Sequence, residues 1–181
     1  MSKFVKSFVA AAGLTAILAA GCNQSASPVA SNDGPPVSGE KYLLTAEPAG
    51  AKGVSDVRKD ATDGDDVVMV GRIGGTAKPW VAGRAAFQVV DPALKSCADS
   101  EGDNCPTPWD YCCTPREDLI KAMATVKVVD YAGQTVPADA RDLLDLKELQ
   151  TVVIRGKAKR DSEGNLTVLA TGIYRRPDGK K

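Results

Sequence analysis

The chain has 181 residues, 23 basic and 23 acidic side chains, and no histidine. The missing imidazole excludes His-based acid–base catalysis, Ser-His-Asp and Cys-His nucleophile schemes, and histidine metal ligands. The length leaves room for one domain, and the balanced charge argues against a nucleic-acid binder, whose affinity comes mainly from phosphate neutralisation.

Lys3 and Lys6 form a short positive region ahead of an apolar run, Phe8 to Ala20. That run is too short to span a bilayer at about 20 residues per crossing. It ends Leu18-Ala19-Ala20-Gly21-Cys22, which resembles a bacterial lipobox. The resemblance implies that residues 1–21 are a signal peptide and that Cys22 carries a diacylglycerol thioether and an acylated N-terminus. Two or three acyl chains would anchor the product on a membrane of the bacterial cell envelope, facing the periplasm or the exterior. Asn23 follows the cysteine rather than Asp, so no inner-membrane retention signal of the enterobacterial type is expected. Loss of residues 1–21 removes Lys3 and Lys6 and leaves 21 basic against 23 acidic side chains, a formal net charge of −2.

Residues 22–53 read as a lipid-anchored tether with an N-terminal strap. The Ser, Pro, Gly and Asn of residues 23–40 bury too little surface to offset ordering entropy, and Tyr42-Leu43-Leu44 is the first apolar group able to pack on a domain. The domain itself is expected over residues 54–175. A first strand runs from Val67 to Gly75, with an internal glycine of the kind that marks a bulge or sharp coiling. A second runs from Ala85 to Asp91, with Ala85, Phe87 and Val89 on one face. Residues 92–118 form a Cys-rich insert that ends in a helix start, Thr114-Pro115-Arg116-Glu117, with Thr114 and Glu117 as a capping box. Thr125–Asp130 reads as the third strand and Ala138–Leu149 as a short helix. Thr151–Arg160 is the fourth strand, with Val152, Ile154, Gly156 and Ala158 inward. A turn at 161–165 leads to the fifth, Leu166–Tyr174, and residues 176–181 form a tail.

Five strands, a helical connection between the third and fourth, and a final hairpin give a mainly β fold that resembles a five-stranded Greek-key barrel of the OB-fold (oligonucleotide/oligosaccharide-binding) type, with short helices and the insert between strands 2 and 3. Val67-Val68-Met69-Val70-Gly71-Arg72 and Val152-Val153-Ile154-Arg155-Gly156-Lys157 are near-copies, each a strand in which glycine meets a basic residue. The fold alone carries no function. More narrowly, Gly71-Arg72-Ile73-Gly74-Gly75 together with Cys105-Pro106-Thr107-Pro108-Trp109-Asp110-Tyr111-Cys112-Cys113 is similar to an uncharacterised group of bacterial exported lipoproteins, a resemblance that implies a location and no activity.

Cys97, Cys105, Cys112 and Cys113 concentrate the unusual chemistry. Outside the cytoplasm such thiols usually oxidise. Neighbouring α-carbons lie about 3.8 Å apart, too close for Cys112 and Cys113 to bond each other. Two pairings remain open: Cys97–Cys112 with Cys105–Cys113, or Cys97–Cys113 with Cys105–Cys112. Each loop so closed would stabilise by about 3 kcal/mol on the chain-entropy argument. The alternative is a four-thiolate metal site for zinc or a soft ion such as Cu(I), although no C-x-x-C pair is present. Redox-active thiols are a third reading. Trp109 and Tyr111 are expected to pack over the sulfurs. Asp99, Glu101 and Asp103 alternate like the start of a calcium loop, but Asn104 and Asp110 stand where Gly and Glu are needed, so they read as a solvated acidic loop. No cofactor is expected beyond a metal at the cysteines.

Arg72, Lys127, Arg155, Lys157 and Lys159 sit on expected strands, and Arg72, Lys127, Arg155 and Lys157 on one face would form a groove for a polyanion or anionic glycan. With no nucleophile–base pair, the sequence reads as a non-enzymatic binding or structural module. Its expected partners are the membrane, through the anchor, and an envelope protein or a glycan, not nucleic acid.

Overall fold

A computed structural model of the protein describes residues 37–102 and 104–177. Cys22, the signal segment and most of the tether lie outside the described residues, as do Asp103 and the end of the tail. Among the described residues no helix is long and apolar enough to cross a membrane.

The fold is mainly β. In chain order the elements are β1 (Lys52–Gly53), α1 (Val54–Asp60), β2 (Asp66–Ile73), β3 (Ala86–Val90), α2 (Arg116–Lys121), β4 (Met123–Val128), α3 (Ala140–Leu144), β5 (Thr151–Arg160) and β6 (Leu166–Arg175), with short 3-10 turns at Glu40–Tyr42 and Cys97–Asp99. The strands make one six-stranded mixed sheet in the order β1-β2-β3-β4-β6-β5, and an additional β2–β5 pairing closes five of them into a ring. Within the ring β4 and β6 run parallel, while β2–β3, β3–β4, β5–β6 and β2–β5 are antiparallel. The two near-copies are direct neighbours, with Val67 opposite Gly156, Met69 opposite Ile154 and Gly71 opposite Val152. Alternation along these strands puts Met69, Ile73, Val152 and Ile154 into one core with Phe87, Val89, Val126, Val168 and Ile173. The register of β5 on β6 shifts between Arg155 and Gly156. A Cβ at Gly156 would lie 2.2 Å from the Leu169 carbonyl oxygen, so glycine permits the bulge and the sharp bend of a closing sheet.

The expected strands are all present, and several details differ. The sixth strand, β1, pairs parallel with β2 outside the ring, and α1 follows it. Neither was expected, because a two-residue strand carries no periodicity and α1 buries only Val54 and Val57. Helix α2 has Pro115 at its N-cap and no side-chain cap, so the Thr114–Glu117 capping box does not form. Helix α3 is shorter than its pattern: Asp139 accepts from the Arg141 N–H at the start, and Asp145 turns left-handed at φ 49° to end it. On β3 both faces are covered, since Ala86 and Val90 are buried along with Phe87 and Val89. In the segment read as a strap, Tyr42 is buried and the Leu44 N–H donates to the Ile173 carbonyl at 2.8 Å.

Candidate metal centre

The insert leaves β3 at Asp91, whose carboxylate accepts from the Ser55 and Ala93 N–H groups at 2.8 and 2.9 Å. Ser96 then starts the turn that presents Cys97. The Ser96 N–H and hydroxyl both donate to the Asp99 carboxylate, at 2.9 and 2.8 Å, and Arg72 reaches across from β2 to pair with the same carboxylate. Partial burial works against the charge on Asp99, but the bonds from Arg72 and Ser96 outweigh it and hold the carboxyl at about 2, against an ordinary 3.8.

The second half is shaped by Pro106-Thr107-Pro108. The Cys97 N–H donates to the Pro108 carbonyl at 3.2 Å and the Asp110 N–H to the Thr107 carbonyl at 2.9 Å, while the Thr107 hydroxyl donates to Asp110 Oδ2 at 2.7 Å. Tyr111 then takes a left-handed φ of 58°. That reversal lets the Cys112 N–H return to Asp110 Oδ1 at 2.9 Å and turns the Cys112 sulfur toward Cys97. Tyr111 itself is 1% exposed. Trp109 and Tyr111 pack against the end of β2: a Cβ on Gly74 would lie 2.4 Å from the Trp109 carbonyl oxygen and 3.2 Å from Tyr111 Cε2. The Gly75 N–H donates to that same carbonyl at 2.8 Å, and the Trp109 indole donates to the Ala77 carbonyl at 3.2 Å. These two aromatics therefore clamp the insert to the sheet. Burial pushes the Tyr111 phenol up to about 12, with Arg72 opposing.

Three of the four insert cysteines converge with Asp110. Cys112 Sγ lies 3.5 Å from Cys97 Sγ and 3.8 Å from Cys105 Sγ, and Cys97 Sγ lies 3.9 Å from Asp110 Oδ1. One donor atom from each of Cys97, Cys105, Asp110 and Cys112 falls within 4.8 Å of the other three. Cys113 Sγ is 4.0 Å from Cys112 Sγ, and Asp110 takes the fourth place that a four-cysteine set would have given it. Cys97 is buried and Cys105 half-buried, whereas Cys112 is exposed, so the group is closed from below and open to solvent on one side. Hydrogen bonding to Cys97, Cys105 and Asp110 favours the protonated Cys112 thiol and raises its pKa. Desolvation works to raise Asp110, but bonds from Thr107 and Cys112 prevail and keep it below the usual carboxylate range. Sequence reasoning missed Asp110 as a donor. The available signal was its place two residues before Cys112 in a Pro-rigidified turn.

The basic residues share the outer face of the ring by register, with Arg72 at one end of it. Arg72 is held at one end of β2 by Asp99 and by the Leu149 carbonyl, to which its Nε donates at 3.1 Å. Asp66, opposite Lys157, is six residues away along the strand, about 20 Å at strand rise. Lys127 and Lys157 do share an outer row, since both register with Leu169, and Arg155 follows on the same stretch of β5. Lys157 pairs with Asp66 at 2.9 Å and Lys159 with Asp63 at 4.0 Å.

No protein family matches the chain, and no curated protein is similar to it.

Proposed function

We propose that the protein is a non-enzymatic metal-binding module in which the insert holds one thiophilic ion, Zn²⁺ or a soft ion such as Cu(I), through Cys97, Cys105, Asp110 and Cys112. The observation that carries this reading is the convergence of the four donor atoms within 4.8 Å. Zinc–thiolate bonds of about 2.3 Å arranged tetrahedrally imply sulfur–sulfur edges of about 3.8 Å. The two edges at Cys112 are 3.5 and 3.8 Å. A disulfide brings one pair to about 2.05 Å and leaves the rest out, whereas Cys112 stands almost equally near two partners. Asp110 supplies an oxygen already fixed by Thr107 and the Cys112 N–H, the kind of outer support that orients a metal ligand.

The scaffold in this proposal is an OB-type barrel. The ring order, counted from β2, is first-second-third-fifth-fourth-first, with third and fifth parallel and a helix between third and fourth, and this favours that assignment. The lipobox resemblance supports a lipid-anchored site at the cell envelope. The second reading is a disulfide-stapled insert that presents a partner-binding surface, favoured by the 3.5 Å approach of Cys97 and Cys112 and by the expected oxidising location.

One titration separates the two. The full chain, purified without reductant so that its cysteines keep the redox state they are made in, is weighed intact and titrated with Co²⁺. The metal reading expects one equivalent bound, thiolate-to-cobalt absorption in the near ultraviolet, tetrahedral bands in the visible, displacement by Zn²⁺, and loss of the signal in Cys112→Ser. A chain four hydrogens light that takes up no cobalt supports the staple instead. A reduced chain that binds no metal sinks both readings.

A further inference from the structure

A second site lies on the outer face of the ring. The turn after β4 lifts Tyr131 to 99% exposure, a rare position for an aromatic side chain. The turn is well tied. The Asp130 N–H donates to the Gln134 carbonyl at 2.9 Å and the Gly133 N–H to the Asp130 carbonyl at 3.0 Å. Asp130 Oδ1 accepts from the Ala132 and Gln134 N–H groups, both at 2.9 Å. Beside Tyr131 lies a depression of about 560 Å³ with Val68 and Leu169 in its floor and Arg155 and Lys157 at its rim. Lys127 joins this rim through the Lys127–Leu169–Lys157 row, and Lys41 Nζ stands 5.8 Å from the Tyr131 ring centroid.

We infer that this face binds an acidic glycan, with a sugar ring stacked on Tyr131 and its carboxylates on Arg155, Lys157 and Lys127. An exposed aromatic on a tied backbone turn, beside an apolar floor, suits the C–H face of a sugar. The cations supply charge-assisted bonds to carboxylates. Lys157 pairs with Asp66 and Lys159 with Asp63 in solvent-exposed pairs, which are weak and exchangeable for ligand carboxylates. Arg155, Lys157 and Lys159 recur on one side of β5 at about 6.6 Å, twice the strand rise, which makes a linear track. A single-stranded nucleic acid fits less well. It needs successive stacking platforms, and among the described residues Tyr131 is the one aromatic in this lining, where Asp66 and Asp130 can accept sugar hydroxyls. This inference is independent of the metal reading.

The test is retention of the full chain on immobilised polygalacturonate, with dextran, an oligo-dT strand and phosphatidylglycerol vesicles as comparison probes. The inference expects retention on polygalacturonate and not on dextran, weakened by salt. Tyr131→Ala and Arg155→Ala should each bind about five- to tenfold more weakly, while Lys95→Ala, a cation outside this face, binds as the parent does. Thermal midpoints read alongside show that the exposed Tyr131→Ala variant is folded. Three results overturn the inference: no retention, retention undiminished in folded Tyr131→Ala, or Tyr131-dependent binding of oligo-dT or vesicles as tight as that of polygalacturonate.

Discussion

Gly74→Ala tests whether the insert is held by the sheet. The new Cβ would sit 2.4 Å from the Trp109 carbonyl oxygen, against about 3.3 Å for a close carbon–oxygen contact. Backbone meets backbone, so no rotamer change relieves the overlap of nearly an ångström. The turn that carries Trp109 and Tyr111 must move, and the 2.8 Å bond from the Gly75 N–H to the Trp109 carbonyl lengthens with it. Overpacking of this kind costs about 1–3 kcal/mol, and a lost bond adds about 1 kcal/mol. Together these give about 2–4 kcal/mol, or roughly 5–15 °C in the thermal midpoint of a domain this size. Calorimetry of the full chain, metal-free and cobalt-loaded, reads both the midpoint and the affinity. The variant should melt earlier and bind cobalt more weakly, because Cys112 follows Tyr111 directly. A midpoint within about 2 °C of the parent, with unchanged cobalt binding, would refute the seating of the insert on Gly74.

Three further outcomes follow from the same contacts. Asp99 is held at about 2 in the fold against an ordinary 3.8, so its stabilisation is complete above pH 3.8 and is lost as the pH falls through 3.8 toward 2. With its side chain 26% exposed, solvent screening reduces the effect to about 1 kcal/mol, and Asp99→Asn should flatten that part of the acid denaturation curve. The buried Tyr111 hydroxyl makes no hydrogen bond of good geometry among the described residues, although Arg72 lies near enough to act on the phenol, so Tyr111→Phe should shift stability in urea denaturation by no more than about 1 kcal/mol. Its phenol is raised to about 12 from 10.0. The unfolded chain ionises first, and stability should decline between pH 10 and 12 in the parent more than in Tyr111→Phe.

How much of this was legible depended on periodicity. β5 follows its pattern from Ile154 onward, where Arg155, Lys157 and Lys159 alternate with buried neighbours, while Val153 is buried along with Val152, and the near-copy strands are paired with each other. β1 and α1 were invisible: two residues cannot alternate, and Val54 and Val57 are a single helical step. The pattern of α3 continued past its end because no sequence rule separates Leu144 from Leu146, yet Asp145 turns left-handed between them. At the site the cysteines marked the place, but the donor set did not follow from them. Asp110, not Cys113, lies in the converged group, and that follows from the left-handed Tyr111, whose turn is tied by the Thr107, Asp110 and Cys112 bonds and by packing against Gly74. Arg72 shares the outer face with Arg155 by register but pairs with Asp99, which comes from an insert whose course the sequence did not disclose.

The sulfurs were expected to hold the insert in shape, and contacts that involve no sulfur also tie it. The Arg72–Asp99 pair, the Gly75 N–H to Trp109 bond, the Cys97 N–H to Pro108 bond and the Thr107–Asp110–Cys112 chain all form without an S–S bond. In the proposed metal reading, a loop tied by its backbone leaves its thiols available for chemistry, and a preformed donor set would make metal binding strong because little ordering remains to be done. The consequence can be measured. Cys112→Ser alters an exposed side chain, so the metal-free protein should lose less than about 0.5 kcal/mol. The parent at a thousandfold excess of metal over its dissociation constant should gain about 4 kcal/mol, and the variant should gain much less. If Cys112→Ser instead destabilises the metal-free, reduced-condition protein by several kcal/mol, the sulfurs hold the shape after all and the backbone clamp is insufficient.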